Sequence, residues 1–139
     1  METLESCPIC GGELLRETRP ESFKYKGKMV TVNMEGEYCQ TCGEGFQNQA
    51  DQKINDRNIT LAKRHVDNLL EPTDILRIRR KLSLSQKEAA EIFGGGVRAF
   101  YKYEHIENNQ PKSLDILFRL LDSGKLSLED IEAVIKQSA

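Results

Sequence analysis

Histidine is scarce in this 139-residue chain, occurring only at His65 and His105, and tryptophan is missing. No nucleophile–base pair is suggested around either histidine, so no enzyme signature emerges. No apolar run comes near 18 residues, which excludes a membrane-spanning helix. The opening stretch METLESCPIC lacks a basic n-region and an apolar h-region, so it does not read as a secretory signal. A cytoplasmic location is the resulting expectation. An excess of positive charge is also lacking: the net charge is −2, with 38% apolar and 30% charged residues. That balance fits a globular protein and excludes a general polycation. Any nucleic-acid-binding charge must therefore be local. Residues 1–50 hold 5 basic and 8 acidic side chains, whereas residues 72–110 hold 7 basic and 5 acidic.

Cysteine is absent after residue 42. All four occur as Cys7-Pro-Ile-Cys10-Gly11 and Cys39-Gln-Thr-Cys42-Gly43. A reducing compartment argues against disulfides. Two C-x2-C pairs point instead to one metal, since two thiolates two residues apart can bind it from a single tight turn. The glycine after each pair permits positive φ, letting nearby N–H groups aim at sulfur. Four thiolates close a tetrahedral Zn2+ shell and leave no position for substrate. The expectation is one structural zinc ion per chain on Cys7, Cys10, Cys39 and Cys42. A rubredoxin-type iron site uses the same ligands. Colour separates the two, iron–thiolate being red. His65 reads as a solvated helix-face residue.

Between the cysteine pairs, FKYKGKMVTVNMEGEY (23–38) alternates apolar and polar residues on both sides of Lys26-Gly27. That pattern predicts a β-hairpin. A core of about 45 residues rarely holds alone, so the metal would supply folding energy. Residues 48–71 place Ile54, Leu61, Ala62, Val66, Leu69 and Leu70 near helical spacing, predicting a linker helix that Pro72 ends.

From Thr73 onward the pattern is all-helical. TDILRIRRKL carries Arg77, Arg79, Arg80 and Lys81, which suit either peripheral phosphate contacts or an ordinary charged helix end. Ser85 with Glu88 forms a capping box that starts a helix through Phe93. Gly94, Gly95 and Gly96 follow, then VRAFYKYE (97–104). Further helices run from Pro111 to Gly124 and onward from a Ser127/Asp130 cap. A phosphate-cradling role for the glycines needs a preceding strand and a following GK[ST]. Neither is present, so they read as the turn of a helix-turn-helix. Gly94 takes the positive-φ position after a helix end. Gly96 falls where a capping Ser or Thr is usual, so Gly96→Ser is expected to be tolerated and Gly94→Val to be harmful. Val97, Phe100 and Tyr103 are expected to hold the second helix to the core. Arg98, Tyr101 and Lys102 are left to reach DNA, with Ser85, Gln86 and Lys87 near the phosphate backbone.

The segment LSQKEAAEIFGGGVRAFYKYE resembles the Cro and lambda-repressor type helix-turn-helix, with Gln86, Ala90, Gly94 and Glu104 at characteristic places. Together with the cysteine pairs and the linker helix, the chain resembles the MqsA antitoxins with their YgiT-type zinc finger, from Cys7 to about Asp122. The resemblance implies an α+β protein of two domains. Residues 1–46 would be a toxin-binding zinc ribbon with a β-hairpin, 47–71 a helical linker, and 72–139 a five-helix DNA-binding and dimerisation domain. It also implies a type II antitoxin that neutralises a cognate toxin, an mRNA-cleaving ribonuclease. As a homodimer, such a protein represses its own operon at double-stranded operator DNA. The family's two base-reading positions fall on Arg98 and Lys102, where its best-known member has asparagine and arginine. A zinc-ribbon regulator without a toxin partner would share every residue feature except the partner.

Overall fold

The computed structural model describes residues 4–137, which fall into two compact units dividing between Val66 and Asp67. The architecture is α+β: an N-terminal antiparallel sheet with the cysteine cluster, then helices.

In the N-terminal unit, strand β1 (Leu14–Tyr25) pairs antiparallel with β2 (Lys28–Cys39). Their register runs from Leu14↔Cys39 to Tyr25↔Lys28. The two-residue turn is Lys26 at φ 49° and Gly27 at φ 78°. Two positive φ values give the turn twist that matches the strands. A short strand, β3 (Gly45–Phe46), pairs with the far end of β2. Helix α1 (Gln49–Val66) packs along β2.

Leu61, Ala62 and Val66 are half-buried as the spacing predicts, but the first half of α1 seats on polar residues. Ile54 is 40% exposed, while Asp51 and Asn55 are buried. Asp51 takes a two-pronged bond from Arg16 at 2.8 and 3.2 Å. Its carboxyl is held below the usual range, first by that bond and also by the Asn48 N–H, against the opposing effect of burial. Asn55 accepts from the Glu35 N–H at 2.8 Å and donates to the Glu35 carbonyl at 2.9 Å. Asn58 donates to the Asn33 carbonyl at 3.0 Å. The side-chain amides thus stand in for a neighbouring strand at Asn33 and Glu35, next to the part of β2 that β3 covers. A sheet edge capped in this way is closed to further strands.

These bonds also orient the other edge. Both polar groups of Glu35 point away from β1, so Thr18↔Glu35 is a non-hydrogen-bonded pair. Alternation along the ladder makes Pro20↔Asn33 another. Pro20 therefore turns its missing N–H to the outer edge of β1, where a proline costs the sheet no bond and interrupts a template for strand addition.

The C-terminal unit contains α2 (Pro72–Lys81), α3 (Gln86–Phe93), α4 (Ala99–Glu104), α5 (Lys112–Asp122) and α6 (Leu128–Gln137). Pro72 opens α2 instead of closing the helix before it, occupying a first-turn position where its absent N–H costs nothing. Buried Asp115 grips the lead into this unit. It accepts from the Leu70 N–H at 2.7 Å, from Gln110 at 3.0 Å and from Arg119 at 2.8 Å. The core comprises Ile75, Ile78, Leu84, Ala89, Ala99, Phe100, Tyr103, Leu114, Phe118 and Leu121. Phe93, Phe100 and Phe118 pack ring against ring with centroids 5.2 to 6.2 Å apart. Val97 does not join them; it is 78% exposed because it lies in the turn before α4 begins.

Arg79 crosses this core. It is buried, and its guanidinium donates to both carboxylate oxygens of Glu104 at 2.8 Å and to the Leu84 carbonyl at 2.8 Å. Gln86 donates to the same carboxylate at 3.2 Å. Breaking a buried pair from one side strands a charge, so Arg79→Ala should cost the C-terminal unit about 3–5 kcal/mol, and the double change Arg79→Met/Glu104→Leu markedly less. Urea denaturation followed by far-ultraviolet circular dichroism checks this. Equal losses in the single and double variants would show that the pair is not what matters.

Candidate metal centre and nucleic-acid interface

The four cysteines arrive from two turns. The first lies ahead of β1; the second links β2 to β3. Gly11 and Gly43 take φ of 75° and 80°, and their N–H groups bond back to the carbonyls of Cys7 and Cys39. Each turn thus folds over its cysteine pair. Cys7 and Cys39 are buried, Cys10 and Cys42 exposed. All four sulfurs lie within 4.8 Å of one another, with Cys10–Cys39 at 3.4 Å and Cys7–Cys42 at 3.7 Å. A tetrahedral zinc with bonds near 2.3 Å requires sulfur–sulfur edges of about 3.8 Å, so the donor set fits one ion.

Backbone N–H groups aim at the inner sulfurs, as the glycine spacing predicts. Ile9 N–H points at Cys7 Sγ, and those of Thr41 and Cys42 at Cys39 Sγ, each at 3.4 Å. The Cys42 N–H, and then that of Thr41, bring the Cys39 thiol down to about 6 against its burial. These N–H groups stabilise the thiolate, which is the form that ligates. With a closed shell of four thiolates the centre is structural, holding the two turns together.

The second candidate site is built on α3, the glycine turn and α4. Helix α3 starts at a reciprocal cap: the Glu88 N–H donates to Ser85 Oγ and the Ser85 N–H to Glu88 Oε1, both at 3.0 Å. All three glycines have positive φ: 84°, 95° and 94° at Gly94, Gly95 and Gly96. Gly94, with ψ −168°, lies where essentially only glycine goes. This corrects the expectation that Gly96 is a free capping position. The residue ahead of α4 is Arg98, and Gly96 is committed by its backbone. Gly95 is constrained twice, since a Cβ there would meet Ala99 Cβ at 3.0 Å and the Tyr103 hydroxyl at 3.1 Å.

Phe100 and Tyr103 are buried and anchor α4, while Arg98, Tyr101 and Lys102 are exposed. Ser85 and Lys87 are exposed at the start of α3, and Gln86 is half-buried with its amide bound to Glu104. The run Arg77–Lys81 is largely engaged within the fold. Arg79 serves the core, and Arg77 and Lys81 both reach Asp122, at 2.8 and 3.3 Å. Arg77 foremost, with Lys81, holds the Asp122 carboxyl down at about 2. Sequence reasoning missed His105. Its ring stacks on Tyr101 from just past the end of α4, where helical spacing no longer applies.

The family described as the antitoxin component of bacterial toxin–antitoxin systems, MqsA, matches residues 5–132. Antitoxin MqsA of Escherichia coli (strain K12) is 36% identical over 129 residues, which covers 90% of this chain and 98% of that protein. The chain belongs to the MqsA antitoxin family. Its role is that of an antitoxin in a toxin–antitoxin system, which implies a toxin partner, and the MqsA family is not an enzyme family. The cysteine cluster is consistent with a structural zinc in an MqsA antitoxin. Among the described residues, no helix is long and apolar enough to cross a membrane.

Two measurements test these sites. Mass spectrometry under native conditions should find one zinc per chain, and Cys39→Ser should abolish it and loosen the amide spectrum of the cysteine turns; retention of zinc by that variant would rule out the four-thiolate assignment. Gly94→Ala, Gly95→Ala and Gly96→Ser should each destabilise the C-terminal unit by about 1–3 kcal/mol from backbone strain alone. An unchanged melting temperature for Gly96→Ser would mean that its backbone can relax.

Proposed function

We propose that the chain neutralises a cognate toxin, an mRNA-cleaving ribonuclease, through its zinc-bearing N-terminal part, residues 1–46. We further propose that residues 72–139 repress the chain's own operon by sequence-specific binding to double-stranded operator DNA as a homodimer. The residues between form the helix that follows the ribbon. Membership of the antitoxin family supports the toxin-directed half.

The DNA-directed half rests on one observation: α4 is anchored through Phe100 and Tyr103 and leaves Arg98, Tyr101 and Lys102 exposed after a glycine turn of positive φ. Arg98 stands immediately ahead of α4, where the N-terminal residues of a recognition helix meet base edges. Arginine reads guanine through a two-pronged bond to O6 and N7. Lys102, within α4, is exposed too and would add a second cationic contact. Ser85, Gln86 and Lys87, at the start of α3, fit the phosphate backbone, where backbone contacts set position and not sequence. A two-fold dimer would set two such helices in major grooves about 34 Å apart, or a multiple of that.

Fluorescence anisotropy with the operator and a scrambled duplex tests the assignment. Arg98→Ala and Lys102→Ala should each weaken operator binding by about 1–3 kcal/mol and narrow the gap to scrambled DNA. Operator affinity that survives both changes would remove α4 from base reading. On the toxin side, the ribonuclease encoded beside this chain should co-purify with it and lose activity in the complex; absence of such a complex would leave a regulator without a toxin.

A further inference from the structure

The outward face of α4 carries an arrangement that its sequence role does not require. Tyr101 and His105 stack with ring centroids 4.0 Å apart and planes 17° from parallel. The Arg98 guanidinium lies 5.1 Å from the Tyr101 ring centroid. Arg98 stands just ahead of α4 and His105 just past its end, and both lie against the Tyr101 ring. His105 is pinned from its other side. Its Nδ1 lies 2.8 Å from the Tyr101 carbonyl, and its own backbone N–H reaches that carbonyl at 3.0 Å. A carbonyl only accepts, so Nδ1 carries the proton. The Tyr101 carbonyl thus accepts two bonds from the same residue.

We infer that His105 is a positioning residue for DNA reading: it holds the Tyr101 ring, and through that ring the Arg98 guanidinium, in place before DNA arrives. The inference rests on the proposed DNA-reading role of Arg98. Tyr101 is 36% exposed, so the core does not fix it, and His105 supplies the missing surface. Arg98 is exposed, and an exposed arginine otherwise loses rotamer freedom when it binds. A guanidinium resting on an aromatic face has lost part of that freedom already. The stack needs only the flat ring of His105 and not its charge, which separates this role from a phosphate contact.

The test is a coupling cycle on the full chain, read as operator affinity by anisotropy. His105→Ala should weaken operator binding by about 3- to 10-fold, with scrambled-duplex affinity, salt slope and melting temperature unchanged. His105→Phe, which keeps a flat ring, should restore affinity. In an Arg98→Ala background, His105→Ala should have no further effect, because its action passes through Arg98. In the DNA-free protein, His105→Ala should move the Tyr101 ring resonances and the Arg98 Nε–H signal, and His105→Phe should return the latter. The inference is overturned if His105→Phe fails to rescue, if the two alanine losses add, or if the salt slope drops by about one, the mark of a lost phosphate contact. A wild-type chain that does not prefer operator over scrambled DNA would overturn the DNA-reading role, and the inference with it. Failure confined to the His105 variants overturns the inference alone.

Discussion

The C-terminal unit turns on one buried ion pair. Arg79 leaves α2 among apolar neighbours and meets Glu104 at the last residue of α4. A charge in that place is tolerable only when fully bonded. Two bonds go to Glu104, one to the Leu84 carbonyl, and Gln86 completes the carboxylate. These partners lie on α2, the α2–α3 connection, the first residue of α3 and the end of α4. The pair therefore fixes the angle at which α4 leaves the core. With only six residues, α4 has little stability of its own. Its outward face is as well defined as its two ends: the glycine turn at one and Glu104 at the other.

The N-terminal unit solves a different problem. A two-stranded ribbon is marginal in water, and this one has few buried apolar side chains, Val32 and Tyr38 among them. Metal ligation ties down one end of the hairpin. The amides of α1 hold β2 at Asn33 and Glu35, and the Asp51 carboxylate holds β1 through Arg16. Neither device relies on a large apolar interior.

Most of this plan was legible in the residues. The paired cysteines, Lys26-Gly27 and the Ser85/Glu88 and Ser127/Asp130 caps follow from local chemistry, and each lies where its chemistry requires. What escaped was tertiary. Arg79 sits at i+4 from Ile75 and i+1 from Ile78, on the buried stripe of α2, yet a run of four basic residues reads as a solvated end. Asp51, Asn55 and Asn58 share one face of α1, but a search for apolar periodicity passes over a polar seat. Val97 completes an apolar spacing with Phe100 and Tyr103 on paper. The chain has not yet become helical there, so the spacing does not apply. Gly96 looked interchangeable because pattern alone carries no φ.

The polar seat of α1 has a thermodynamic consequence. The heat-capacity change of unfolding grows with apolar surface exposed and shrinks with polar surface. A unit held by side-chain amides, an Arg16–Asp51 bond and thiolates exposes little of the first and much of the second. Its stability curve is then shallow, and its resistance to heat is set by enthalpy and not by the hydrophobic effect. The aromatic C-terminal unit, with Phe93, Phe100 and Phe118 in contact, has the opposite balance and a more strongly curved profile. The two halves of this antitoxin thus differ in how strongly their stability curves with temperature, the aromatic half the more so.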